Sequence, residues 1–132
     1  MHESNKTIVR EAYTAISRGD LKTFLARLDD NVTWTFIGTH RFGRTFRGKH
    51  EIVENLCRVL GAHLEGVIAL DIERLIAEGD MVVAQMQGRA RTPDGRRYDN
   101  TYCVVLTVRD GLIRDLREYL DTELVTAVFG RD

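Results

Sequence analysis

Apolar residues recur at helical spacing early in the chain and at strand spacing late in it. Ile8, Ala12, Ala15 and Ile16 mark one helix face, Gly19-Asp20 ends that helix, and Leu21, Phe24, Leu25 and Leu28 mark a second, shorter one. From Val32 to Ile37 the pattern alternates, with Val32, Trp34 and Phe36 on one side, which predicts a half-buried strand. A basic loop punctuated by Gly48 follows, and then Ile52, Val53, Leu56, Val59, Leu60 and Leu64 return to helical spacing. Residues 67 to 78 read as strand with Gly79-Asp80 as its turn, and residues 80 to 121 as three more strands joined at Thr92-Pro93-Asp94-Gly95 and Arg109-Asp110-Gly111. Helices first and then a four-stranded antiparallel run predict an α+β fold with the helices packed on one sheet face.

Register decides which side chains share that face. A type I turn centred on Pro93 and Asp94 sets Gln85 against Tyr102, Gln87 against Asn100 and Val83 against Val104. The second turn allows two readings, a two-residue Asp-Gly hairpin or a three-residue loop with Gly111 in the left-handed region. The three-residue loop mixes fewer charges with the apolar face, sets Tyr102 against Glu118 and Val104 against Leu116, and leaves only Arg114 misplaced. In that register Gln85, Tyr102 and Glu118 form one polar row above Val83, Val104 and Leu116, with Gln87, Asn100 and Leu120 on its other side. The opposite face then carries Val82, Ala84, Met86, Cys103, Val105 and Tyr119, apolar enough to predict a symmetric homodimer through it.

Composition narrows the function classes. With 132 residues the chain reads as one domain, 1–132, and 19 Lys plus Arg against 20 Asp plus Glu argue against nucleic acid or an anionic membrane as partner. Arg89, Arg91, Arg96 and Arg97 gather around one turn, as a solvated hairpin tip does. Cys57 and Cys103 have neither metal-ligand nor disulfide spacing, and no apolar run reaches the roughly 20 residues of a membrane span, so a reduced cytoplasmic protein without metal or cofactor is expected.

A carboxyl group beside two neutral hydrogen-bonding groups on an apolar floor has its pKa raised by desolvation and suits acid/base work near neutral pH. Glu118 is therefore the candidate proton carrier, with Tyr102 as its catalytic partner. Gln85, Gln87 and Asn100 are candidate oxygen-binding groups, and Trp34, Phe36, Val83, Val104 and Leu116 candidate walls. His40, between the first strand and the third helix, is a candidate second proton carrier at the mouth. The alternative is structural: Glu118 pairs with Arg89 or Arg114 in a satisfied network.

Tyr13 ahead of Gly19-Asp20-Leu21, Phe46-Arg47-Gly48, Gly79-Asp80 and the ending Arg117-Glu118-Tyr119-Leu120-Asp121 together resemble the SnoaL-like branch of the nuclear transport factor 2-like superfamily. That resemblance implies a cone: a curved, mainly antiparallel sheet and three helices around a pocket, with a short C-terminal helix. The superfamily includes ketosteroid isomerase, scytalone dehydratase, limonene epoxide hydrolase and polyketide cyclases. Phe36 stands where the isomerase has its general-base aspartate, and Tyr13 matches half of its oxyanion pair. The positions resembling the epoxide hydrolase's Asp-Arg-Asp trio are Gln85, Gln87 and Glu118, which breaks the water-activating relay. A cyclase-like acid/base enzyme acting on a small apolar carbonyl compound is the leading expectation, with a noncatalytic ligand-binding or dimeric interaction domain as the alternative.

Overall fold

The computed structural model describes residues 2–131. Helix α1 (His2–Ser17) buries Val9, Ala12 and Tyr13 along one stripe and ends at Gly19, which has φ 73°. Helix α2 (Leu21–Ala26) is capped by Asp20, whose carboxylate accepts from Thr23 N at 3.1 Å. Strand β1 (Leu28–Phe36) leads to a short β2 (Thr45–Arg47) absent from the sequence expectation, and then to a helical run in three parts: α3 (Gly48–Ile52), a π turn (Val53–Cys57) and α4 (Arg58–His63). Strands β3 (Ala69–Glu78), β4 (Met81–Arg89), β5 (Thr101–Arg109) and β6 (Leu112–Leu120) follow, and α5 (Thr122–Phe129) closes the chain. The Asp121 carboxylate caps α5 by accepting from Glu123 N at 3.1 Å and Leu124 N at 3.3 Å.

The six strands form one sheet in the order β2-β1-β6-β5-β4-β3, antiparallel except where β1 runs parallel to β6. The expected α+β class, curved sheet and terminal helix are all present. Helix α1 packs across β3 and β4, and α2 and α3 flank β1, so the concave face is the covered one.

Both late turns differ from the sequence reading, and the two differences interact. At the first turn Gly95 N donates to Thr92 O and Thr92 N to Arg96 O, each at 2.9 Å, and Gly95 has φ 88°. This is a three-residue loop with a left-handed glycine, which restores the strand twist that a bare type I turn would splay. Gln85 therefore pairs with Cys103 and Met86 with Tyr102. The inner face of β4 is Val82, Ala84 and Met86, all at most 1% exposed, whereas Val83, Gln85 and Gln87 turn outward.

At the second turn Asp110 and Gly111 have φ 55° and 76°, and Arg109 pairs with Leu112: a two-residue hairpin with both central residues left-handed. Alone, that would invert β6. The ladder then slips between Thr107 and Val108, where Thr107 faces Asp115 and Val108 faces Ile113, so Arg114 is an extra, bulged residue. Its guanidinium reaches Asp29 at 2.5 Å and Asp110 at 3.6 Å. The bulge turns the rest of β6 back, placing Leu116 and Glu118 inward opposite Leu106 and Val104, with Tyr102 opposite Leu120. Glu118 thus shares Tyr102's face, but one pair further along than expected, and its pairing with Arg89 or Arg114 does not occur: those arginines bond Asp71 and Asp29.

The outer face also differs from expectation. It carries Val83, Gln85, Cys103 and Val105, with Ile76 55% and Tyr119 42% exposed, while Val82, Ala84 and Met86 belong to the core.

Candidate functional site

Between the concave sheet and the helices lies a cavity of about 240 Å³. Its only carboxyl group is Glu118, 5% exposed. Parallel pairing sets Phe36 beside Glu118 and Trp34 beside Leu116, and the Trp34 and Phe36 rings stack at 5.3 Å and 16°. The Trp34 indole N–H donates to Glu118 Oε1 at 3.2 Å. Burial pushes the Glu118 carboxyl up to about 8, against a smaller downward pull from the indole bond. At neutral pH the side chain is therefore a carboxylic acid. With Oε1 accepting from Trp34, the acid proton belongs on Oε2.

Three tyrosines surround this acid. Tyr13, from α1, is 3% exposed, borders the cavity, and its hydroxyl has no hydrogen-bond partner. Burial, and then the nearby Glu118 charge, hold its pKa well above the ordinary phenol value. Tyr98 and Tyr102 approach from the β5 side, and burial raises both: Tyr98 to about 12 and Tyr102 well above its ordinary value. Gly88 makes room for the second ring, because a Cβ there would lie 2.7 Å from Tyr102 Cε2. All three phenols stay protonated across the physiological range; the Tyr102 hydroxyl is directed at that of Tyr98, and the Tyr13 hydroxyl is unpartnered.

The helical side of the cavity comes from α1, α2, the π turn and α4. The Arg58 N–H bonds Val53 O, a wider turn that brings the successive residues Leu56 and Cys57 to the wall along with Leu60. Leu21 and Val67, 38% and 43% exposed, stand at the opening with Gly19, Gly61 and Gly66. Among the described residues no group of three or more His, Cys, Asp or Glu side chains is placed to hold a metal ion.

Comparison with known proteins identifies the domain. The family model of the SnoaL-like domain matches residues 9–116, most of the chain. The chain belongs to the SnoaL-like domain family. An uncharacterised protein of Mycobacterium tuberculosis is 25% identical to it over 130 residues, 96% of each chain. Among solved structures, a nuclear transport factor 2-like protein of unknown function from Burkholderia pseudomallei is 25% identical with TM-score 0.85, covering 96% of this chain and 97% of its own. An epoxide hydrolase of limonene epoxide hydrolase type from M. tuberculosis is 22% identical with TM-score 0.78, covering 97% and 90%. This last likeness is one of fold.

Within this SnoaL-like cone, four of the residues proposed from sequence border the cavity: Glu118, Tyr102, Trp34 and Phe36. Val104 and Leu116 face inward but are fully buried beneath the floor. Gln85, Gln87 and Val83 lie on the outer face, a correction that follows from the Gly95 loop. Asn100 is 0% exposed and fully engaged: its amide donates to Tyr98 OH and Asp121 O, and its oxygen accepts from Thr101 N and Asp121 N. It ties the end of β6 to β5 and orients Tyr98. His40 is 8% exposed, with Nδ1 accepting from Phe42 N at 3.2 Å and Nε2 against Ile37 O at 3.1 Å, so both ring nitrogens serve the backbone. Neither is left for a proton relay.

Tyr98 and Met86 were missed, and Tyr13 entered only through the family resemblance. Alternation alone places Tyr98, Asn100 and Tyr102 on one face, so Tyr98 was readable once Tyr102 was chosen. Tyr13 was not, because helical spacing marks it as core and says nothing about its unpartnered hydroxyl.

Proposed function

We propose that this SnoaL-like protein is an acid/base enzyme acting on a small apolar compound with a carbonyl oxygen. The observation that supports this most directly is a buried carboxyl group, raised to about 8 and held by one indole bond, on the wall of an apolar cavity. Glu118 gives its proton to a substrate oxygen as a double bond shifts or a carbon–carbon bond closes, and the resulting carboxylate takes a proton back from substrate carbon or hydroxyl. Tyr13 and Tyr102 bind that oxygen while charge develops on it. Cyclase, isomerase and hydratase outcomes differ only in which substrate atom returns the proton. A water-activating relay of the epoxide hydrolase kind has no support, since Gln85 and Gln87 lie outside the cavity.

The test needs no known substrate. A panel of enolisable aromatic ketones is incubated with the protein in heavy water, exchange at the α-carbon is followed by NMR, and binding is followed by fluorescence of the sole tryptophan, Trp34, in the cavity wall. Exchange is expected to be greatest below about pH 8 and to fall above it, where Glu118 has lost the proton it gives to the carbonyl oxygen. Glu118→Gln should abolish exchange with binding retained, and Tyr102→Phe should slow it on the order of a hundredfold. Exchange surviving Glu118→Gln sinks the assignment, and binding without exchange in the unmodified protein makes it a carrier.

We also propose a homodimer through the outer sheet face, where Ile76, Val83, Val105 and Tyr119 present apolar surface. Sedimentation at micromolar concentration should show dimer for the unmodified chain and monomer for Ile76→Asp/Tyr119→Asp. A monomeric unmodified protein removes the claim.

A further inference from the structure

Just ahead of β5 one side-chain amide fixes the direction of a hydroxyl. Asn100 is 0% exposed, and its oxygen accepts from Thr101 N at 2.8 Å and Asp121 N at 3.0 Å, two backbone groups that can only donate. Its amide nitrogen is therefore locked on the other side, where it donates to Asp121 O at 3.1 Å and to the Tyr98 hydroxyl at 3.2 Å. Tyr98 must accept at that bond. Burial raises both Tyr98 and Tyr102, and the hydrogen bond between them raises Tyr102 further while lowering Tyr98, the pattern of Tyr102 donating. Two bonds then arrive at the Tyr98 oxygen, and among the described residues no group accepts the hydrogen of Tyr98 itself. The ring is held edge-on to Phe129 at 4.9 Å and 84°, and it borders the cavity within electrostatic reach of Glu118.

From this wiring we infer that Tyr98 is a further oxygen-binding residue of the cavity, donating its hydroxyl hydrogen to the ligand, and that Asn100 is the positioning residue that holds that hydrogen toward it. The inference rests on the acid/base reading proposed above and adds a donor to it. A buried hydroxyl hydrogen without an acceptor is unfavourable, so the arrival of a ligand oxygen relieves it. Each bond received at the Tyr98 oxygen also polarises its O–H, which makes it a stronger donor than an isolated phenol. An entering oxygen can draw the Tyr102 hydrogen as well. Tyr98 then loses one supporting bond and keeps the other, because the Asn100 amide has no second orientation that satisfies Thr101 N and Asp121 N. As charge grows on the substrate oxygen during proton transfer, a donor already aimed by the fold stabilises it without reorganisation. Structure alone does not call for the phenol, since Asn100 ties β5 to the end of β6 through Asp121.

The probe is 2-acetylnaphthalene labelled with carbon-13 at its carbonyl, whose infrared stretching band moves to lower wavenumber with each hydrogen bond it accepts. It is measured bound to the protein at about pH 6.5, with exchange at its methyl carbon in heavy water as the rate. Tyr98→Phe should move the band up and slow exchange about tenfold or more, while the ring keeps its place against Phe129. Asn100→Asp keeps the acceptor for Thr101 N and Asp121 N but turns a carboxylate toward Tyr98, which takes the hydrogen back, so the band should move up although Tyr98 is intact. Replacing Tyr98 by 3,5-difluorotyrosine, a more acidic phenol of nearly the same shape, should move the band down, and it does so whether or not the Asn100 variant folds. A band left in place by both Tyr98 changes overturns the inference, and if Glu118→Gln still moves it, the acid/base reading stands. A folded Asn100→Asp protein with an unmoved band overturns the part given to Asn100. Failure of the ketone to bind the unmodified protein removes the ligand site, and the proposed function with it.

Discussion

Glu118→Gln is expected to make the protein more resistant to urea at alkaline pH than the unmodified chain. The folded carboxyl titrates at about 8 against an ordinary value of 4.5, so between those values the folded state holds a proton that the unfolded state has released. Stability from this group is complete below pH 4.5, falls as pH rises, and is gone once pH passes the folded value. At about 1.4 kcal/mol per pH unit the gap amounts to roughly 5 kcal/mol, of which on the order of 4 falls between pH 5 and pH 9. A glutamine keeps the acceptor for Trp34 and never ionises. Urea midpoints at pH 5 and pH 9 should therefore diverge for the unmodified protein and stay together for the variant, apart from changes both share. Parallel curves would mean that Glu118 is charged in the folded protein, and the acid role would fall with that result. The substitution expected to destroy activity is thus the one expected to harden the fold, a trade common to buried catalytic groups.

The second large effect is structural and lies where β1 crosses to β2. A Cβ on Gly43 would come within 2.0 Å of Gly38 O and 3.2 Å of His40 O, both of them backbone atoms that cannot swing aside. This loop seats Phe42 on the cavity wall and fixes His40 between Phe42 N and Ile37 O. Gly43→Ala should cost about 3 kcal/mol or more, a shift of roughly 1 M or more in the urea midpoint. Gly61→Ala should do the opposite. Its Cβ meets nothing within 4 Å and it lies in helix α4, so the change should stabilise by about 0.5–1 kcal/mol. Unchanged stability in Gly43→Ala would contradict the crossing geometry.

How much of this was legible before folding depends on the reach of each signal. Local periodicity gave the helices and the long strands, and Trp34, Phe36 and Tyr102 followed as inward residues because each lies on a strand whose apolar side is plain. Strand β2 was invisible, since three residues between glycines carry no period and form a strand only by pairing with β1. The parallel β1–β6 pairing is a long-range fact with no local trace. Gln85 was misplaced because one residue of loop length decides a whole strand. Gly95 and Gly111 are both glycines after an aspartate, yet only the first closes a three-residue loop, and composition does not separate them. The conclusion about Glu118 survived a wrong turn because the Arg114 bulge cancels the shorter hairpin.

That cancellation has a consequence for how this chain tolerates change in length. Arg114 works as a phase corrector, one inserted residue that brings an inverted strand back into step. Replacing it alters an ion pair with Asp29. Deleting it would rotate everything downstream by half a period, sending Glu118 and Leu116 to the outside and bringing Arg117 and Tyr119 into the cavity. Substitutions across β6 are thus graded in effect, while a single deletion is all-or-none. A compensating insertion on either side of Arg114, between the turn and Asp115, is the route by which length variation here remains compatible with an inward acid.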